Sequence, residues 1–547
     1  MYRSHPFHFL TYIVIAVSAL LLILAAVSAG HSVLGARVIG QAQYDALRES
    51  REEVSFDPTT LSFSHMQTAY DAASNTVFIS QSLNKDDWEG SLICSGADST
   101  LYLLEDSALH GKEAAIADGH IFHLLIADGK SYAEVNMAVS GLPIICIDYD
   151  YDENADYTED HMARFRLIDA GVTSRNKDSL DLYCQFHWRG ATAMEWDKKS
   201  YRISLCDESG KSVKRNLLNM RKDEDWILNA MYTDSSKVRE KAVYQFWNAA
   251  QNLEENPMPS ADMEYVELFV NNEYEGLYGL MTRVDRKTME LNSHDLVYKI
   301  DSDDFISDDD LKAADAAGAK VITDDTGEKL AEIRYPKNNP MTWKPFMYFQ
   351  SFVEGERSLQ DLEKMGYNID LDSLADYQLF LLYTMTVDND WKNNLIIIKN
   401  REKTKAAVSF NAWDLDYTLG DVWTDENSFS KKFSEESAGI TDEEYYMPES
   451  ASFMAALEDD PQEMEGILEA KAGLWQKNGL NADYLCGLIE KANAQITSSG
   501  ALQRDAQRWP EVGDCEDISS LEQWVRTRFA AINQLAAENK LTESLDQ

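Results

Sequence analysis

From Phe9 to Ala29 the chain reads FLTYIVIAVSALLLILAAVSA, with no charged side chain in it and Arg3 ahead of it. About 20 apolar residues rising 1.5 Å each span the hydrocarbon core of a bilayer, so this segment ties the rest of the chain to one side of a membrane. A secretory signal peptide carries an apolar stretch of only about 7–15 residues, and the length therefore favours an uncleaved signal anchor. Cleavage after Ala29, with Val27 and Ala29 as its small residues, is the alternative and would release a secreted protein. No Cys follows the segment, which excludes a lipoprotein. With Arg3 retained inside, the expectation is a single-pass protein of the cell membrane whose C-terminal bulk lies outside the cytoplasm.

The 547 residues exceed what one hydrophobic core organises, so two or more domains are expected. Fifty basic against 94 acidic side chains give a net charge of −44. A nucleic-acid binder needs a basic footprint, and none is visible. The acidity suits a cationic partner or a divalent metal, and equally plain solubility. Six cysteines include no CxxC pair, and no HExxH occurs, so no zinc spacing exists. Disulfides Cys94–Cys146 and Cys486–Cys515 are left open.

The organisation expected is α+β. After the anchor (1–30), residues 31–56 read as a polar juxtamembrane stalk, helical around AQYDALRESREEV. Short apolar runs separated by Gly, Asn and Asp predict a small β-sandwich over 57–148. An acidic linker follows at 149–160. Its Asp148, Asp150, Asp152 and Glu159 imitate a calcium loop, but Glu153 stands where that loop needs glycine, so a solvated linker is the reading. The remainder, 161–545, starts strand-rich with one helix at DSSKVREKAVYQFWNAAQ, which Asp234 or Ser235 can cap. It passes an acidic, mobile insertion at DSDDFISDDD and ends helix-rich. Strand-rich first and helix-rich second is the layout of a two-lobed kinase-like domain, and of other α+β enzymes.

The densest polar cluster is VDNDWKNNLIIIKN, which sets Asp388, Asp390, Asn393 and Asn394 between an apolar helix and an apolar strand. About twenty residues on, FNAWDLDYTLG carries Asp414 and Asp416 at the end of a second strand. If that strand continues, alternation puts the two acids on one face, about 7 Å apart. Hairpin-linked strands bring both acid clusters to one end, where such crowding calls for a hard cation such as Mg²⁺ or Mn²⁺. Phosphoryl transfer uses these parts: one Asp for the acceptor's hydroxyl proton, an Asn and a later Asp for metal. The spacing Asp388–Asn393 reproduces the D-x-x-x-x-N of ordinary kinase loops, although Asx turns produce similar clusters.

Five segments in order resemble the CotH kinase family. RGATAMEWDKKSYRISL (189–205) is similar to its Arg-Gly then Lys-Lys-aromatic strand, and YVELFVNNEYEGLYGLMTRVD (265–285) to its strand, tight turn and Gly-x-Tyr. DNDWKNNLIIIK and FNAWDLDYTLG resemble its Asp-then-Asn strand and its Trp-Asp-x-Asp segment, and 508–535 its closing helices. The resemblance covers about 161–540. It implies an atypical two-lobed protein kinase that phosphorylates serines of coat proteins, using ATP and Mg²⁺ or Mn²⁺. Carried over, Asp390 is the family's acid and Asn394 its Asn, and Asp414 is the metal ligand, with Asp416 beside it. Lys198 or Lys199 holds nucleotide phosphates, Glu240 pairs with that lysine, and Arg189 is a further phosphate contact. The family register assigns the base to Asp390 and ordinary kinase spacing assigns it to Asp388. Two departures stand out: Thr282 and Arg283 where the family often has an acid, and Asn272 for a turn glycine. The −44 charge suggests a basic, Ser/Lys-rich acceptor protein. The alternative is a catalytically silent CotH-like surface binding, adhesion or structural protein.

Overall fold

The computed structural model describes residues 31–542, apart from 65, 97, 170–178, 191, 337–341, 387, 390, 393, 403–404, 422–449 and 513–516. The apolar 9–29 segment and Cys515 lie outside the described residues. Among those described, no helix is long and apolar enough to cross a membrane. The described residues form twelve α-helices and several sheets, a mixed α+β arrangement.

The N-terminal part is an eight-stranded mixed sheet with a three-stranded sheet on one face. Leu61, Phe63 and Leu92 of the small sheet share one core with Val77, Leu103, Leu124 and Met137 of the large one. The expected stalk proves to be part of this unit. Strands Ser32–Val33 and Ala36–Ile39 join the large sheet, the latter alongside Thr100–Leu104, and helix Gln41–Glu49 buries Tyr44 against it. Val33, Leu34, Ala36 and Ile39 give this polar-looking stretch the apolar anchors that hold it down.

A closed seven-stranded barrel follows, built from Ile144–Asp148, His161–Ile168, Leu180–Arg189, Ser200–Cys206, Asp225–Asn229, Met263–Val270 and Glu273–Thr282. Every second residue points inward, so Phe165, Phe186, Ile203, Trp226, Leu268 and Leu280 fill the interior. The expected acidic linker is the hairpin loop between the first two barrel strands, which pair antiparallel. Its tyrosines explain why it folds back: Tyr157 is buried and stacks on Tyr151 at 5.6 Å. Its acids are spent locally, Asp148 on Arg166 at 2.9 Å and Asp152 on the backbone N–H of Asn154.

The N-terminal sheet docks firmly on the barrel. Phe78 packs on Phe269 and stacks on Tyr274, and Asp71 accepts the backbone N–H of Tyr274. The backbone N–H of Ala72 reaches the carbonyl of Asn272, whose φ of 61° is the left-handed geometry that asparagine tolerates.

Beyond the barrel, a six-stranded sheet runs in the order Val321–Thr323, Lys329–Tyr335, Leu296–Ile300, Leu395–Glu402, Lys405–Phe410, Tyr367–Ile369. It shares one large core with helices Arg239–Gln251, Leu371–Thr384, Pro461–Lys477 and Ser519–Glu538. The expected mobile insertion is ordered: Ser307 caps helix Asp308–Ala317, and Phe305 packs edge-on against Trp391 at 4.7 Å. The helix Ala501–Arg508 returns to the barrel. There Gly276, at φ 105°, lies so close that a Cβ would stand 2.2 Å from Asp505 Oδ1. Only glycine admits both the backbone angle and that approach. The candidate disulfide Cys94–Cys146 does not form; both thiols are free, and burial pushes that of Cys146 up to about 12.

Candidate active site

A cavity of about 750 Å³ opens where the barrel, helix Arg239–Gln251 and the six-stranded sheet meet. Arg189, Lys198, Glu240, Asp388, Asp414 and Asp416 all line it, although they come from segments spread over more than two hundred residues. Of the other candidates, Asp390 lies outside the described residues. Lys199 turns away and donates to the carbonyls of Met194 and Trp196, with its ammonium over the Trp188 ring. Asn394 is buried and committed internally: Oδ1 accepts from the Tyr377 hydroxyl at 2.7 Å, and Nδ2 donates to the carbonyls of Trp391 and Lys392.

The acid loops are laced together from behind. Asn389 Nδ2 donates to the carbonyl of Trp413 at 2.9 Å, and the backbone N–H of Leu419 reaches the carbonyl of Thr384. Asn411 and Ser260 pin the same stretch to the loop after helix Arg239–Gln251. The strand ends at Phe410, so Asp414 and Asp416 are not an alternating pair; Asp414 instead has φ 58°. Lys237 also has φ 58° and Met231 has 47°, so three non-glycine cavity residues hold left-handed backbone. Strain of this kind persists where surrounding contacts over-determine it, and it clusters at functional sites.

Charge is divided across the cavity. Lys198 is fully buried and ion-paired with Asp505 at 2.6 Å, while Lys237 Nζ stands 3.6 Å from the other oxygen of the same carboxylate. Burial pulls the Lys198 ammonium down to about 8, with Asp505 opposing and Lys237 adding to the effect. The partner expected for this lysine was Glu240, and the structure assigns Asp505 instead. No spacing rule connects a barrel lysine to an acid three hundred residues later. Glu240 faces the acids: its Oε2 accepts from Asn229 Nδ2 at 2.5 Å. Burial, then Asp416 and Asp414, push its carboxyl up to about 8, against Arg189. Half-buried carboxylates that repel one another offer the hard oxygen donors that suit Mg²⁺ or Mn²⁺. In addition, the indole N–H groups of Trp391 and Trp413, both in the cavity wall, have no acceptor among the described residues.

The raised Glu240 carboxyl has a measurable consequence. The folded chain holds this proton more tightly than the unfolded chain, so without metal Glu240 costs nothing below about pH 4.5. Its cost grows as the pH rises and is complete above about 8. The upper bound is on the order of 5 kcal/mol. Thermal melts without metal are expected to show a midpoint that falls between pH 5 and 8, and Glu240→Gln should flatten that fall. An unchanged slope in the variant would remove Glu240 as its source.

The family model described as CotH kinase protein matches residues 186–532. The chain belongs to the CotH family, in agreement with the segments singled out in the sequence. No curated protein matches it. The matched range covers the cavity residues from Arg189 to Asp416 and includes Asp505.

Proposed function

We propose that this protein is a membrane-anchored, extracytoplasmic protein kinase that transfers the γ-phosphoryl group of ATP to serine or threonine, with Mg²⁺ or Mn²⁺. The observation that carries the reading is the convergence of Arg189, Lys198, Glu240, Asp388, Asp414 and Asp416 on one cavity in a chain of the CotH family. Glu240, Asp414 and Asp416 are the residues that would hold the metal, which neutralises phosphate charge when bound. Arg189 and the Lys198–Lys237 pair supply positive potential for phosphate oxygens. Asp388 or Asp390 takes the proton of the acceptor hydroxyl as its oxygen bonds to the γ-phosphorus, and the bond to the ADP oxygen breaks. Incubating the full chain with labelled ATP, Mn²⁺ and serine-containing proteins is expected to yield labelled acceptor and ADP. No transfer to any acceptor, with no binding of metal or nucleotide, would favour a silent binding protein.

The location is part of the same reading and rests on the uncharged 9–29 segment behind Arg3. Protease added to intact cells is expected to digest residues 31–547 and leave the N-terminus in the membrane fraction. A soluble species beginning near Gly30 would instead establish cleavage.

A further inference from the structure

The apolar 9–29 segment ends three residues before Ser32, which opens the first strand of the N-terminal sheet. Three residues reach about 10–11 Å at most when fully extended. The headgroup layer of a bilayer is itself about 5–7 Å deep on each side. An anchored chain therefore has no room for a stalk. The edge of the folded unit stands at the lipid headgroups, and one of its faces meets them.

The turn Leu34–Gly35 after that first strand abuts the three-stranded sheet of Leu61–Phe63, Met66–Gln67 and Leu92–Cys94. The carbonyl of Leu34 accepts the backbone N–H of Leu92 at 2.6 Å. Gly35, at φ 82°, lies so close that a Cβ would stand 2.7 Å from the carbonyl oxygen of Leu92. In the small sheet Leu61, Phe63 and Leu92 point into the core, so alternation turns Ser62 outward, between Ile93 and Gln67 on the neighbouring strands. Ile93 is 42% exposed. The surroundings of this row are neutral. Residues 31–36, 58–70 and 90–96, which build the turn and the small sheet, contain no Asp, Glu, Lys or Arg, in a chain of which 26% is charged. The first charged side chain after the apolar segment is a cation, the exposed Arg37. Other exposed apolar side chains sit among acids: Val54 follows Glu52 and Glu53, and Phe305 follows Asp303 and Asp304.

We propose that the outward face of the three-stranded sheet, centred on Ser62 and Ile93, together with the Leu34–Gly35 turn, seats on the headgroups of the leaflet from which the anchor emerges. The partner is a lipid surface, and the place where the apolar segment ends selects it over a protein. A carboxylate pressed against headgroups loses hydration and is repelled by anionic lipid, so the −44 charge would otherwise oppose contact. A neutral face escapes both costs. The Ile93 side chain gains by entering the apolar boundary, and Arg37 attracts lipid phosphate. Arg166 of the barrel donates to the carbonyls of Gln67 and Thr68 at the far end of the same small sheet. The seat therefore also fixes how the barrel and its cavity stand over the membrane. The inference rests on the anchor reading of 9–29 and is independent of phosphoryl transfer.

The full-length chain is placed in lipid nanodiscs, with and without a lipid that carries a nitroxide on its headgroup, which quenches indole emission at short range. Three variants add one tryptophan each. Ile93→Trp and Ser62→Trp lie on the face, and Val321→Trp lies on the edge strand Val321–Thr323 of the six-stranded sheet beyond the barrel. The emission that each variant adds over the parent is compared. Ile93→Trp and Ser62→Trp are expected to lose most of their added emission to the nitroxide lipid, and Val321→Trp to keep nearly all of its own. Both face positions point out of the core, and either one suffices if the other misfolds. A chain that stays in the nanodisc with both face tryptophans unquenched overturns the seat and leaves the anchor standing. Equal quenching of Val321→Trp overturns it too, since the contact would then be indiscriminate. Unquenched emission that shifts with chain concentration gives the face to a second copy and likewise overturns the seat. A chain cleaved near Gly30 and found outside the nanodisc brings down the anchor reading itself, and the seat with it.

Discussion

Replacing Asp388 with alanine is expected to lower turnover by about 10²–10⁴-fold, the usual cost of losing a positioned base, with nucleotide affinity largely kept. Asp388 is half-buried in the cavity wall, and its loop is tied to the loop that carries Asp414 by the bond from Asn389 to Trp413. In the proposed reaction a group held that way serves the acceptor, so its loss should lower kcat without changing how ATP binds. Asp390→Ala is the comparison, because the family register favours Asp390 and kinase-loop spacing favours Asp388. If Asp390→Ala loses the turnover and Asp388→Ala does not, the base is Asp390. Equal, small losses from both would leave no carboxylate base in this loop.

What the sequence disclosed and what it hid divide along a physical line. Local patterns were readable: the helices after residue 343, the strand pair Leu395–Glu402 and Lys405–Phe410, and the turn at Asn272 all follow from periodicity and backbone preference. Of the two acid clusters, Asp388, Asp414 and Asp416 line one cavity, while Asp390 and Asn393 lie outside the described residues. Contacts closed by the chain's return were hidden. Asp505 meets Lys198 only because helix Ala501–Arg508 packs against Gly276, and nothing in 501–508 marks an acid as the partner of a barrel lysine. The same blindness misjudged 31–56 and 149–160, where a few apolar or aromatic side chains outweigh a polar majority once a neighbouring surface exists. Nor does the sequence disclose the bond from Tyr377 to Asn394: a short amide after a helix reads equally as a metal ligand and as a buried turn partner.

Asp414→Asn separates the proposed metal site from the fold. Asparagine tolerates the left-handed backbone that Asp414 adopts at φ 58°, so the substitution removes charge without adding strain. It also removes one of the two acids that push the Glu240 carboxyl upward, so the metal-free variant should melt no lower than the parent at pH 8. Mn²⁺ is expected to raise the parent's melting temperature, because a ligand that binds only the folded state stabilises it. In the variant most of that rise should vanish, and Mn²⁺-dependent ATP affinity should fall by about 10–100-fold, the equivalent of one charged contact of about 1.5–3 kcal/mol. Arg334 adds a second reason to expect a clean result: it stacks on Trp413 and keeps the loop in place whichever residue occupies 414. A variant that melts early yet binds Mn²⁺ and ATP as the parent does would make Asp414 a structural residue, and the metal would then need Asp416 and Glu240 without it.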